Sequence, residues 1–86
     1  MHTIIFSKQA HKDKALLKQA GLEAKAKQLL NLMRENPFAI PPSYEKLHGD
    51  MNGMYSRRIN VKHRLVYEID TEAQIVHVLR MWTHYE

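Results

Sequence analysis

The chain reads as an α+β domain: two N-terminal helices packed on one face of a small, mainly antiparallel four-stranded sheet, in the order β-α-α-β-β-β. Three observations predict it. Leu22, Ala26, Leu29, Leu30 and Met33 make one apolar stripe at helical spacing. Three apolar runs near 54–59, 63–69 and 74–82 are joined by turns so short that neighbouring strands must be antiparallel. A helix-like segment precedes the stripe with only Ala20-Gly21 between them, the connection of an antiparallel helical hairpin. Eighty-six residues form a single domain, 1–86, with one core.

Residues 2–6 form the first strand, since Ile4, Ile5 and Phe6 are too apolar to be exposed on both sides. Ser7 is the N-cap of a helix that runs to about Gln19, with Leu16 and Leu17 as its buried positions, and Gly21 suits the left-handed turn that ends it. The striped second helix closes at Asn36-Pro37, because the residue before proline disfavours helical backbone. Residues 37–53 read as a loop stiffened by Pro41-Pro42, with Phe38, Ile40 and Leu47 tacking it to the core and Glu45 carried within it. Asn60-Val61-Lys62 and Asp70-Thr71-Glu72-Ala73 turn the remaining strands. With both helices on one face, the other face of the sheet is expected to be at least partly open.

The net charge is +4, and its distribution is uneven. Residues 1–44 hold seven cations and three anions, while residues 45–86 hold six of each. The helical half therefore carries the surplus, and its lysines read as a solvated face. Within the neutral half, Arg57, Arg58, Lys62 and Arg64 cluster in one hairpin, where Leu65, Tyr67 and Ile69 alternate with Arg64, Val66 and Glu68. One face of that hairpin suits a core and the other an anion. A basic chain favours an acidic partner, nucleic acid or protein. The chain has no cysteine, so disulfides and thiolate metal sites are excluded, and a reducing cytoplasm fits. The opening run Met1–Phe6 reads as a strand and not a secretion leader, and no apolar stretch is long enough to span a bilayer. The expectation is a cytoplasmic protein with no membrane partner.

If the last strand is uninterrupted, Arg80 and His84 share a face, and Ser56, Arg58, Arg64 and Val66 can converge on it. Glu45 would reach this face from its loop and Tyr85 from the tail. One carboxylate, two or three guanidiniums, an imidazole and a phenol are the parts needed to cleave RNA without a metal. A base takes the 2′-OH proton, arginines offset charge on the phosphoryl oxygens, and an acid protonates the departing 5′-oxygen. Spacing alone does not single out that reaction from the many a small basic domain could host.

A more specific signal lies in the motifs. Glu45-x-Leu47, Gly53-x-Tyr55-Ser-Arg-Arg-Ile59, His63-Arg-Leu-Val-Tyr67 and the tail His84-Tyr85 resemble the YoeB/Txe toxins of the RelE superfamily. The resemblance is densest over 45–67 and at the tail, and element order, with Asn36-Pro37-Phe38, extends it across 1–44. It implies a RelE-like fold and an RNA endonuclease that cuts mRNA at the ribosomal A site with no metal or other cofactor. It further implies a YefM-like antitoxin as partner, operator DNA reached only through the antitoxin complex, and a possible homodimer. By position, Glu45 matches the general base, Arg64 the phosphate-stabilising arginine and His84 the general acid. Arg58 and Tyr85 match substrate-binding residues. His48 stands where many relatives have lysine, and Trp82 where their tail is basic, so both bear on substrate contacts.

Other residues carry blander expectations. Arg57 pairs with acidic surface groups, Lys62 is solvated, and His2, His11 and His63 have surface or packing roles. His77 is a satisfied buried or edge histidine. Trp82 could equally stack a base or pack in the core or a dimer. Two competing functions remain open: a non-catalytic toxin or binding domain of the same fold that grips a protein partner such as gyrase, and a plain nucleic-acid-binding module. Neither requires Glu45, Arg64 and His84-Tyr85 together.

Overall fold

The computed structural model describes residues 1–83. Its elements are β1 (Thr3–Phe6), α1 (Lys8–Gln19), α2 (Glu23–Glu35), β2 (Tyr44–Lys46), a 3-10 turn (Gly49–Met51), β3 (Tyr55–Arg58), β4 (Arg64–Asp70) and β5 (Ile75–Thr83). They form a mixed sheet in the order β1-β5-β4-β3-β2, with β1 parallel to β5 and the other neighbours antiparallel. The expected α+β fold is present with one strand more than expected. That strand is β2, so Glu45 belongs to a sheet edge and not to a loop. Three residues after Pro41-Pro42 are too few to show an alternation, which is why the segment reads as loop.

The helices form where local chemistry asks for them. The Ser7 Oγ accepts a hydrogen bond from the Ala10 N–H at 3.0 Å and caps α1. Gly21 has φ of 73°, the left-handed region that an L side chain resists, and it ends the α1 connection there. Ala26, Leu29, Leu30 and Met33 of α2 are buried, as the stripe requires. On α1 the burial falls on Ala10, Asp13 and Leu17, while Leu16 is exposed. Adjacent helical residues point 100° apart, and on α1 the stripe through Ala10, Asp13 and Leu17 leaves Leu16 to one side. The helices cover Leu65, Tyr67, Val76, Val78 and Met81 of the sheet in one continuous core. Ile40, by contrast, is 70% exposed and does not anchor its loop.

β5 outruns its neighbour. β1 pairs with it from Thr3↔Ile75 to Phe6↔Val78 and then stops, leaving the edge beyond Val78 without a strand. α1 supplies the missing partners. Ser7 donates its backbone N–H to the Val78 carbonyl and its hydroxyl to the Leu79 carbonyl, at 2.9 and 2.7 Å. The Asp13 carboxylate accepts the N–H groups of Met81 and Trp82 at 2.9 and 3.2 Å, and the Arg80 Nε at 3.2 Å. Gln9 binds its second oxygen at 3.0 Å. On its other edge β5 shifts register twice against β4, between the pairs Arg64↔Thr83, Val66↔Arg80 and Tyr67↔Val78. These are bulges, with β5 contributing the extra residues. They overturn the uninterrupted strand expected from alternation, and Arg80, the register partner of Val66, is tied to Asp13 of α1.

Burial pushes the Asp13 carboxyl up, but hydrogen bonds from Met81, Gln9, Arg80 and Trp82 outweigh it and leave the group below its ordinary 3.8. A carboxyl depressed in the fold contributes stability in full above its unfolded value, and the contribution is lost as pH falls through the lower folded value. Asp13→Ala is expected to lower the unfolding free energy by about 3 kcal/mol at pH 7, because it strands two backbone N–H groups. Urea denaturation of both proteins checks this, and the gap between them should shrink once the pH drops below 3.8.

Candidate active site on the open face of the sheet

Register decides which side chains share a face. Glu45 pairs with Ser56, Ser56 with Val66, and Arg58 with Arg64, so these five lie on the face away from the helices. Arg57, Leu65 and Tyr67 project the opposite way, into the core. Arg64 Nη1 lies 3.3 Å from Glu45 Oε2 and donates to Ser56 Oγ at 3.0 Å. The Arg64 side chain is 12% exposed and that of Glu45 63%. A recessed cation, steadied by a buried serine, thus sits beneath a carboxylate that solvent and ligands can reach. The far end of this face is acidic: Glu68, Asp70 and Glu72 surround the β4–β5 turn, and Glu68 meets His77 at 3.3 Å. An anionic ligand on this face is therefore drawn to the Arg64 end.

The remaining expected site residues distribute differently. Arg58 is exposed and lines a groove of about 420 Å³ with Lys25, Gln28, Leu29, Leu32, Pro42 and Ile59. His48 is exposed at the entry of the 3-10 turn, beside a cleft of about 130 Å³ lined also by Lys46, Leu47 and Met54. Trp82 is half-buried and packs against the core, and its ring stacks on His63 with centroids 3.8 Å apart and planes 18° apart. One face of the indole is thus already covered. His84 and Tyr85 lie outside the described residues. Among the described residues, no group of three or more His, Asp or Glu side chains is placed as metal ligands would be. No helix among them is long and apolar enough to cross a membrane.

Arg57 departs from its expected place at the surface. It does not pair with surface acids: it is fully buried. Its guanidinium donates to the Tyr67 hydroxyl at 3.0 Å, the Pro42 carbonyl at 2.5 Å and the Pro37 carbonyl at 2.8 Å. A signal for this was in the sequence, because Arg57 shares parity with Tyr55 and Ile59 on the core face of its strand. Asp13 had one too, lying four residues before Leu17 and three after Ala10 on the buried face of α1. In both cases charge suggested the surface and periodicity the interior.

Residues 6–85 match the family model of the YoeB-like toxin of bacterial type II toxin–antitoxin systems. The chain belongs to this family. Toxin YoeB of Synechocystis sp. is 40% identical over 57 residues, which are 66% of this chain and 59% of that relative. The chain therefore aligns with about three fifths of that relative's length. Among solved structures, the YoeB/ParE toxin from Agrobacterium tumefaciens superposes with a TM-score of 0.86 at 29% identity, covering 96% of this chain and 99% of that one. The toxin in a heterotetrameric YoeB–YefM toxin–antitoxin complex from Staphylococcus aureus gives 0.81 at 33% identity, covering 99% of each chain. The five-stranded mixed sheet with two helices is thus the YoeB fold, and the Glu45–Arg64 pair is a feature of a YoeB-like toxin.

Burial raises the Tyr67 phenol, the neighbouring Arg57 charge and hydrogen bond oppose this, and the net value is about 12. An absorbance titration of this YoeB-like chain is expected to show one tyrosine ionising near 12, and Tyr67→Phe should remove that step. The linked stability is complete below the ordinary value of 10.0 and is lost as pH rises toward the folded value.

Proposed function

We propose that the chain is a ribosome-dependent mRNA endonuclease, the toxin of a toxin–antitoxin pair, which cleaves mRNA in the A site by acid–base transesterification. The observation that carries the reading is the Glu45–Arg64 pair at 3.3 Å on an accessible sheet face. Family membership supports it. A carboxylate can accept a proton, and a recessed arginine is suited to a phosphoryl oxygen.

Glu45 takes the proton from the 2′-OH of the nucleotide before the cut. The 2′-oxygen attacks the adjacent phosphorus, and Arg64 offsets the charge that grows on the non-bridging oxygens. The bond from phosphorus to the 5′-oxygen breaks as His84 donates a proton to that oxygen. The products are a 2′,3′-cyclic phosphate and a 5′-hydroxyl. Ser56 holds Arg64 in place during the reaction. Arg58 and Tyr85 hold the substrate strand, and His48 and Trp82 border it. The ribosome presents the mRNA, so the protein works in the cytoplasm. A YefM-like antitoxin is the neutralising partner, in keeping with the heterotetramer formed by the Staphylococcus aureus relative.

The test is a purified ribosome assay with a defined mRNA codon in the A site. Glu45→Gln and His84→Gln are each expected to slow single-turnover cleavage by roughly 10²- to 10⁴-fold. Arg64→Ala should cost roughly 10²- to 10³-fold. Ribosome binding should persist in all three. Full activity in both Glu45→Gln and His84→Gln would refute the assignment.

A further inference from the structure

We infer that Arg57 is a positioning residue for Glu45: a buried brace that holds the edge strand carrying the proposed base. The inference rests on the reading of Glu45 as that base. Arg64 lies on β4, between two strands, and its place is secured by the sheet. Glu45 has no such security. β2 is three residues long and lies at the sheet edge, and among the described residues it pairs with β3 alone. So short a ladder is marginal without further support.

Arg57 supplies that support from the opposite face of β3. Two of its nitrogens hold the carbonyls of Pro37 and Pro42, which bracket the segment leading from α2 into β2. A third is fixed by the Tyr67 hydroxyl in the core. The guanidinium also lies 5.1 Å from the ring centre of Tyr44, its register partner on β2. Tyr44 packs edge-on against Phe38 and Tyr55, at 6.1 and 5.7 Å. Glu45 is the next residue and projects the other way. Wherever Tyr44 is held, the Glu45 carboxylate is placed relative to Arg64. Three separate nitrogens of the guanidinium serve these acceptors, whereas a lysine ammonium offers its donors from a single point, so lysine is not an equivalent brace.

Arg57→Lys tests this by two readouts. Amide hydrogen exchange, read by NMR, is expected to speed up at least tenfold at residues 44–46 while the β4 and β5 amides stay unchanged. In the ribosome assay, kcat should fall at least tenfold with KM unchanged, and the same substitution should cost nothing further in a Glu45→Gln background. Tyr67→Phe removes one acceptor and no charge, so it keeps the fold if Arg57→Lys does not. It should raise exchange at the same residues by roughly fivefold. Unchanged exchange at 44–46 in both variants overturns the brace. An equal fold-loss of kcat in both backgrounds overturns its action through Glu45. If Glu45→Gln alone is fully active, the proposed base is wrong, and exchange alone still decides whether Arg57 braces β2.

Discussion

The fold depends on one carboxylate. Asp13, buried on α1, closes the edge of β5 where β1 has ended, by accepting the backbone N–H groups of Met81 and Trp82 together with Arg80. Without it a helix would lie against unpaired strand donors, each costing 1–3 kcal/mol by the usual measure of about one lost buried hydrogen bond. With it, helix and strand become one unit, and β5 can carry two bulges on its other edge.

Arg57 is the complementary case. A buried guanidinium is costly to desolvate, and here its described hydrogen bonds all go to neutral acceptors. Each of these two buried charges ties a distant segment to the sheet: Asp13 binds α1 to β5, and Arg57 binds the segment after α2 to β3. Together they leave the outer face of the sheet to Glu45, Ser56 and Arg64. The Glu45–Arg64 pair thus lies between two segments that buried polar groups tie to the sheet.

The parts of the fold with strong period were readable from the chain. The α2 stripe and the Leu65/Tyr67 alternation needed no tertiary information, because apolar burial follows local spacing. The motifs around Glu45 and Arg64 pointed to the pair that the sheet brings together. Three features were hidden for physical reasons. β2 is only three residues long, too short for a legible alternating run, and gains its strand character from pairing with β3. The bulges in β5 are register shifts against β4, and the partner of its other edge, Asp13, lies 68 residues away in sequence, so no window along β5 contains either. Charge alone places Arg57 at the surface, whereas its hydrogen-bond acceptors, two of them proline carbonyls with no side-chain signature, decide its burial.

The central claim is that Glu45 and Arg64 act on a 2′-hydroxyl and its neighbouring phosphate. It is tested most directly by an mRNA with a single 2′-deoxy nucleotide immediately before the cut, presented in the A site and compared with the all-ribose message. The expected result is a 2′,3′-cyclic phosphate and a 5′-hydroxyl from the all-ribose message, and loss of cleavage at that bond from the substituted one with binding retained. Unimpaired cleavage of the deoxy-substituted message, or a product bearing a 5′-phosphate, would contradict it, since the attacking group would then be water.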